Sequence, residues 1–220
     1  METTLLNSIF VGLNPNQLHE IQRLAIRRNY QRGQFIFYQG EMWPYLFLVE
    51  NGVLSAVKES VEGRSLVMGK FSKGDVFWGM SFFKPELSSP VTLMAAEDSQ
   101  LVFWDRDSLL PYLIDNGEVA WGLCNLLIAR MHKASTMVEE LAFQPVASRL
   151  ARLLLDNFKE SPDGCLARNL TLDEMAAYIG TTREMVCRIL YRLADEKLIE
   201  VTRTEFYLSD QAGLVKLAGR

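Results

Sequence analysis

Between Asn116-Gly117 and Pro145 the sequence spells a single long helix with a narrow apolar seam. Ala120, Cys124, Leu127, Met131, Ala134, Val138 and Leu141 follow one another at intervals of four, three, four, three, four and three. That is an a/d repeat sustained over three heptads, the spacing that zips one helix against another. Leu123, Leu126, Ile128 and Met137 add apolar surface off the seam. A helix apolar on two sides needs two covers. One is expected to be the chain's own N-terminal part and the other a second copy of itself; the alternative is a core helix buried within one chain. The helix divides the chain into three parts, 1–115, 116–143 and 144–220.

The first part reads as one helix followed by many short strands. Residues 14–30 carry Leu18, Ile21, Leu24 and Ala25 at helical spacing. After Gly33 come short runs rich in Val, Phe, Tyr and Leu: Phe35–Tyr38, Tyr45–Val49, Val53–Val57, Leu66–Phe71, Val91–Ala95 and Leu101–Trp104. Gly40-Glu41, Glu50-Asn51-Gly52, Glu62-Gly63 and Lys73-Gly74-Asp75 punctuate them. Short strands so separated predict a β-sandwich or barrel.

Composition narrows the function classes. Hydrophobic residues make up 49% and charged residues 23% of the chain, the balance of a folded globular protein. The net charge is -4, yet residues 144–220 hold 11 Lys/Arg against 11 Asp/Glu, so the acidic excess lies upstream of them. The C-terminal part can therefore carry a local basic face. Cys124, Cys165 and Cys187 have neither disulfide-framework nor zinc spacing. No signal peptide and no run of 18 apolar residues is visible, so a cytoplasmic protein without a membrane partner is expected. An enzyme is disfavoured: with only His19 and His132, no nucleophile–base set is apparent. Gly63 to Lys70 imitates a phosphate loop, but has one residue too many, Phe71 where Ser or Thr would bind magnesium, and strand-like neighbours.

The third part predicts a helix over Val146–Phe158, a loop at Ser161-Pro162-Asp163-Gly164 and two short helices joined at Gly180. Each short helix opens on a capping-box pattern, Thr171-Leu-Asp-Glu174 and Thr181-Thr-Arg-Glu184. Ile199–Thr202 and Glu205–Leu208 read as a hairpin, and Ser209-Asp210 as the cap of a last helical turn. Two helices joined by a glycine turn make a helix-turn-helix. The second one displays Thr182, Arg183, Glu184, Arg188 and Arg192 outward. Arginine pairs bidentately with N7 and O6 of guanine, and glutamate accepts from the amine of cytosine. Thr181, Thr182 and the open helix N-terminus suit phosphate. Arg203 in the hairpin would follow the DNA backbone as a wing. The plainer alternative is a helical hairpin with a solvated arginine face.

These residues together resemble the Crp/Fnr family of bacterial transcription regulators over essentially the whole chain. The resemblance rests on Gly33, Gly40-Glu41, Gly52, Gly63 and Gly74-Asp75 as jelly-roll turn positions. Leu141-Ala142-Phe143 and Ser148-Arg149-Leu150-Ala151 look like the family's hinge, and Thr181–Arg188 like its recognition helix, in which Arg183, Glu184 and Arg188 take the base-reading places. It implies an α+β protein: an N-terminal double-stranded β-helix (a cyclic-nucleotide-binding-like jelly roll), a long dimerisation helix and a C-terminal winged helix-turn-helix. It also implies a homodimer on near-palindromic double-stranded DNA, with RNA polymerase as a partner. A signal in the jelly roll would reorient the DNA-binding domains.

The sensor departs from the pattern the resemblance implies. In cyclic-nucleotide binders of this fold a glycine and a glutamate follow the Gly-Asp turn, and an arginine with a hydroxyl neighbour holds the cyclic phosphate. Here Trp78 and Gly79 take the first pair of places, ahead of Met80, and Ser88-Ser89-Pro90 stands at the second. No arginine lies between Arg64 and Arg106, and Pro90 has no N–H to donate. Removing the cation from a buried anion costs about 3–5 kcal/mol, enough to abolish micromolar binding. Cyclic AMP is therefore not expected to bind in the usual mode. Ala134 and Ser135 stand where relatives contact the adenine, and Ala134 has no hydroxyl. No iron–sulfur cluster, haem or metal is expected, since no cysteine precedes Cys124 and neither histidine sits in a ligand pattern. An unidentified small effector, or none, remains. The thiol of Cys187, beside Arg188, is either a packed group or a redox-sensitive one at the DNA face. A ligand-binding adaptor that no longer reads DNA is the competing function.

Overall fold

In the computed structural model, residue 10 and residues 12–158, 165–167, 170–202 and 205–219 are described. The chain divides into two compact units, Met1–Glu59 with Met68–Ala134, and Ser60–Val67 with Ser135–Arg220.

In the first unit, Asn14 accepts from the backbone N–H of Gln17 while the Gln17 side chain returns to the Asn14 N–H. With Pro15 at the first helical position, this box starts α1 (Pro15–Leu24). The helix expected to reach Tyr30 stops earlier. Ala25 turns extended and Ile26–Tyr30 form strand β1. The reason is tertiary: β1 pairs antiparallel with a strand far along the chain, from Ile26 opposite Phe103 to Tyr30 opposite Ser99. Helical periodicity already lapses after Ala25, and the five-residue ladder pairs the backbone groups that face β8.

The other strands are β2 (Phe35–Phe37), β3 (Tyr45–Asn51), β4 (Val53–Glu59), β5 (Ser65–Ser72), β6 (Val76–Trp78), β7 (Thr92–Ala95) and β8 (Ser99–Asp105). They form two four-stranded sheets, β1-β8-β3-β6 and β2-β7-β4-β5, the jelly roll expected from the sequence. Phe37, Phe47, Leu54, Leu93, Leu101 and Phe103 make one core, with Phe71 and Phe77 packed against it. At the β3–β4 turn Gly52 has φ of 87°, and a Cβ there would fall 2.4 Å from the Asp98 carbonyl oxygen. Only glycine fits that approach. Strand β6 and the helices α2 (Met80–Phe83) and α3 (Arg106–Ile114) lie outside the sequence expectations. For α3 a signal was present: Asp105 caps it by accepting from the Ser108 N–H.

Helix α4 (Gly117–Phe143) is the predicted rod. Val119 and Leu123 are buried in a second core with Phe10, Ile21, Trp104, Leu109 and Leu113, where the Trp104 indole donates to the Ile21 carbonyl at 2.8 Å.

The second unit holds α5 (Val146–Phe158), β9 (Cys165–Ala167), α6 (Leu172–Ile179), α7 (Arg183–Asp195), β10 (Ile199–Val201), β11 (Glu205–Leu208) and α8 (Gln211–Leu217). Leu150, Leu154, Met175, Ile179, Val186, Ile189, Leu193 and Phe206 form its core. The expected hairpin is β10–β11, and β9 adds a third strand in the order β10-β11-β9. The loop expected at Ser161–Gly164 falls outside the described residues, as does Arg203. Asp210 caps α8 by accepting from the Gly213 N–H.

Candidate nucleic-acid interface and sensor site

The interface is built from α6 and α7. Thr171 and Glu174 form the expected reciprocal box at the start of α6. Helix α6 ends on Gly180, left-handed at φ 66°, a conformation that costs other residues strain. The Thr181 N–H then bonds the Ala176 carbonyl at 3.0 Å and so belongs to the turn. That corrects the second capping box. The N-cap is Thr182, whose hydroxyl accepts from the Met185 N–H at 3.3 Å.

Downstream of the cap, Val186, Ile189, Leu190 and Leu193 are buried against Met175, Ala176 and Ile179. This packing orients the opposite face outward. Thr182, Arg183, Glu184, Arg188 and Arg192 are all exposed, and Thr181 is half-buried. Glu184 lies in the first turn, where its own backbone N–H and the Thr182 side chain hold its carboxyl below the ordinary carboxylate range, with Arg183 adding a smaller Coulombic pull. Arg183 reaches Asp173 of α6 at 3.3 Å, a pairing the sequence reading missed. Arg192 lies 3.8 Å from Glu196, one turn on. Arg188 has no ion-pair partner among the described residues. Cys187 is half-buried beside Leu190, Tyr191 and Val201, in a groove of about 740 Å³ between α7 and β10.

Arg149, in the segment resembling the hinge, ties helix ends together. Its Nε donates to the Ile179 carbonyl at 2.8 Å, and Nη1 donates to the carbonyls of Gln144 and Glu140 at 2.7 and 3.1 Å. Burial depresses its pKa, with Glu140 opposing.

On α4, Ala120, Cys124, Leu127, Met131, Ala134 and Val138 are exposed and Leu141 is half-buried. Met131 is 70% and Val138 66% exposed. The seam is thus an uncovered face of this chain, not the inside of a one-chain core. Trp121, Ile128 and Phe143 extend the exposed apolar surface of the helix.

In the sensor, Trp78 is buried, Met80 exposed, and Gly79 precedes α2. Ser89 is buried, and its hydroxyl donates to the Val91 carbonyl at 2.7 Å. Pro90 is exposed, as is Ser135 on α4. Arg130, also on α4, escaped the sequence reading. Its guanidinium carbon stands 4.3 Å from the Trp78 ring centre, 5.2 Å from that of Phe77 and 5.5 Å from that of Phe71. The guanidinium also donates to the Val76 carbonyl. Burial lowers its pKa to about 10, against the pull of Asp75. The spacing of Val119, Leu123, Leu126 and Arg130 is the signal that could have found it.

Residues 27–116 match the family model of the cyclic nucleotide-binding domain, and residues 148–217 that of the Crp-like helix-turn-helix domain. The chain is 28% identical over 193 residues to the cyclic AMP receptor protein of Thermus thermophilus, covering 88% of each. It is 26% identical over 217 residues to a CRP-like cAMP-activated global transcriptional regulator of Mycobacterium tuberculosis, covering 96% of each. A crp/fnr-family structure from Eubacterium rectale superposes with a TM-score of 0.84 at 23% identity, over 94% of this chain and 96% of that one, and supports the fold. No helix among the described residues is long and apolar enough to cross a membrane.

Proposed function

The chain belongs to the Crp/Fnr family of transcription regulators, and on that premise we propose that it is a homodimer reading a near-palindromic operator, with a sensor that does not take cyclic AMP in the usual way. The observation that carries the DNA reading is α7: Arg183, Glu184 and Arg188 stand exposed on a helix whose other face is buried. Two-fold copies place such helices one DNA turn apart, in successive major grooves. Thr181 and Thr182 at the helix start suit backbone phosphate. The exposed seam of α4 supports a second copy as its cover. RNA polymerase is the expected protein partner, and the cytoplasm the expected compartment.

The sensor reading rests on chemistry. Several relatives are named for cyclic AMP, but this chain has Trp78, Gly79, Ser89 and Pro90 where a cyclic phosphate would need a glutamate, an arginine and backbone donors. Isothermal titration of the full chain with cyclic AMP and cyclic GMP should give no binding at micromolar concentrations; micromolar affinity for either overturns this part. Fluorescence anisotropy with DNA from the protein's own upstream region tests the first part. Saturable, competitor-resistant binding supports a regulator, and its absence on every fragment favours an adaptor without DNA readout.

A further inference from the structure

We infer that Arg130 is an internal stand-in for the effector: the chain fills its own sensor site from α4, and the regulator works without a small molecule. The inference deepens the regulator reading above and rests on it.

The stripe of α4 that faces the sensor core runs Val119, Leu123, Leu126, Arg130 at steps of four, three and four. The first two are buried and the third packs against the core. The fourth place calls for an apolar side chain, yet it holds a cation. Burying a guanidinium is costly unless something receives it. Here the receiver is an aromatic cage, with Trp78, Phe77 and Phe71 all within 5.5 Å and the Val76 carbonyl as acceptor. Among the described residues no carboxylate lies within ion-pair distance of Arg130. Asp75 acts from farther off, and its carboxylate accepts from the N–H and hydroxyl of Ser72. Cation–π attraction and one charge-assisted hydrogen bond therefore hold the side chain in place.

Polar groups at the positions expected to hold a cyclic phosphate are bonded within the chain as well. The Ser89 hydroxyl is spent on Val91. The Gly79 N–H donates to the Tyr45 carbonyl at 3.0 Å, and a Cβ on Gly79 would lie 1.9 Å from the Trp43 carbonyl oxygen, which pins the turn after β6 against β3 and its approach. An effector in this fold would join the β6 segment to α4. Arg130 joins α4 to β6 from within the chain, through cation–π contacts with Phe77 and Trp78 and a hydrogen bond to the Val76 carbonyl.

Hydrogen exchange on the full-length protein reads the junction directly. Arg130→Ala should speed exchange in α4 residues 120–134 and in β6 by about tenfold, the loss expected for a partly desolvated cation–π contact. Arg130→Lys, which keeps the charge, should lie between the two. Arg130→Met keeps the bulk and removes the charge; it replaces the alanine variant if that one does not fold. In parallel, wild-type protein shown by mass spectrometry to carry no small molecule should bind operator DNA, with less than about a twofold change on adding cyclic AMP or cyclic GMP, and Arg130→Met should bind about tenfold more weakly. Wild-type protection in Arg130→Met overturns the junction. Operator binding that needs an added or co-purified compound, or that Arg130→Met leaves intact, overturns the stand-in role. If the wild type binds no DNA at all, the regulator reading falls, and the exchange arm still decides whether Arg130 holds α4.

Discussion

Arg183 and Arg188 lie five residues apart on α7 and are both exposed, but they start from different states. Arg188 has no ionic partner among the described residues, whereas Arg183 already touches Asp173 at 3.3 Å with both side chains more than half exposed. An exposed pair of that kind contributes about 0–1 kcal/mol. Guanine would offer a bidentate partner in a desolvated groove, so on the proposed reading DNA should outcompete Asp173. Arg188→Ala should weaken operator binding by about 1–3 kcal/mol and relax specificity at one base pair per half-site, read by anisotropy against single-base variants. A uniform loss over all sequences would mark it as a phosphate contact instead. Asp173→Ala should leave operator affinity unchanged or raise it by up to about 1 kcal/mol, because it removes only the competitor of Arg183. A clear weakening would show that Asp173 positions Arg183 for readout. The partners of Asp173 and Arg130 were not legible in the sequence, since each acts through residues of a different element, although the stripe Val119, Leu123, Leu126, Arg130 marks Arg130 as inward-facing.

At the scale of elements, helix starts and stops followed local chemistry where the chain supplied it. The box at Thr171 and the cap at Asp210 are seen where short-range patterns put them, and the box that Asn14 and Gln17 close at the start of α1 adds one that was not expected. Two expectations failed for tertiary reasons. Ile26–Tyr30 joined β8 as an edge strand, and Thr181 was drawn into the turn by the Ala176 carbonyl, which moved the cap to Thr182. Arg149 is the element-scale counterpart of these effects. It satisfies carbonyls at the C-terminal end of α4, at Gln144 and at the end of α6, groups that a helix leaves open. Arg149→Met keeps the stem but strands those acceptors. It should cost about 2–4 kcal/mol in urea denaturation, through the carbonyls left without a donor. A loss below about 0.5 kcal/mol would mean that water replaces the guanidinium without penalty.

For the whole molecule the deciding surface is the seam. Leu127→Asp with Met131→Asp puts charges on the exposed a/d face without touching Val119 or Leu123, so each chain should stay folded. Light scattering should then report monomers, and operator binding should fall to the level of an isolated half-site. A dimer of unchanged mass would place the interface elsewhere. By itself the sequence determined the heptad rod, the strand-rich first part, the glycine turn between α6 and α7, and the residue types on the recognition face. Those features are periodic or local, written within one or two helical turns of chain. Which face of the rod is covered by its own sensor core, which groups fill that sensor, and which carbonyls each arginine serves were decided only by tertiary structure. They depend on residues brought together from far apart, as Arg130 meets Val76 across 54 positions of sequence.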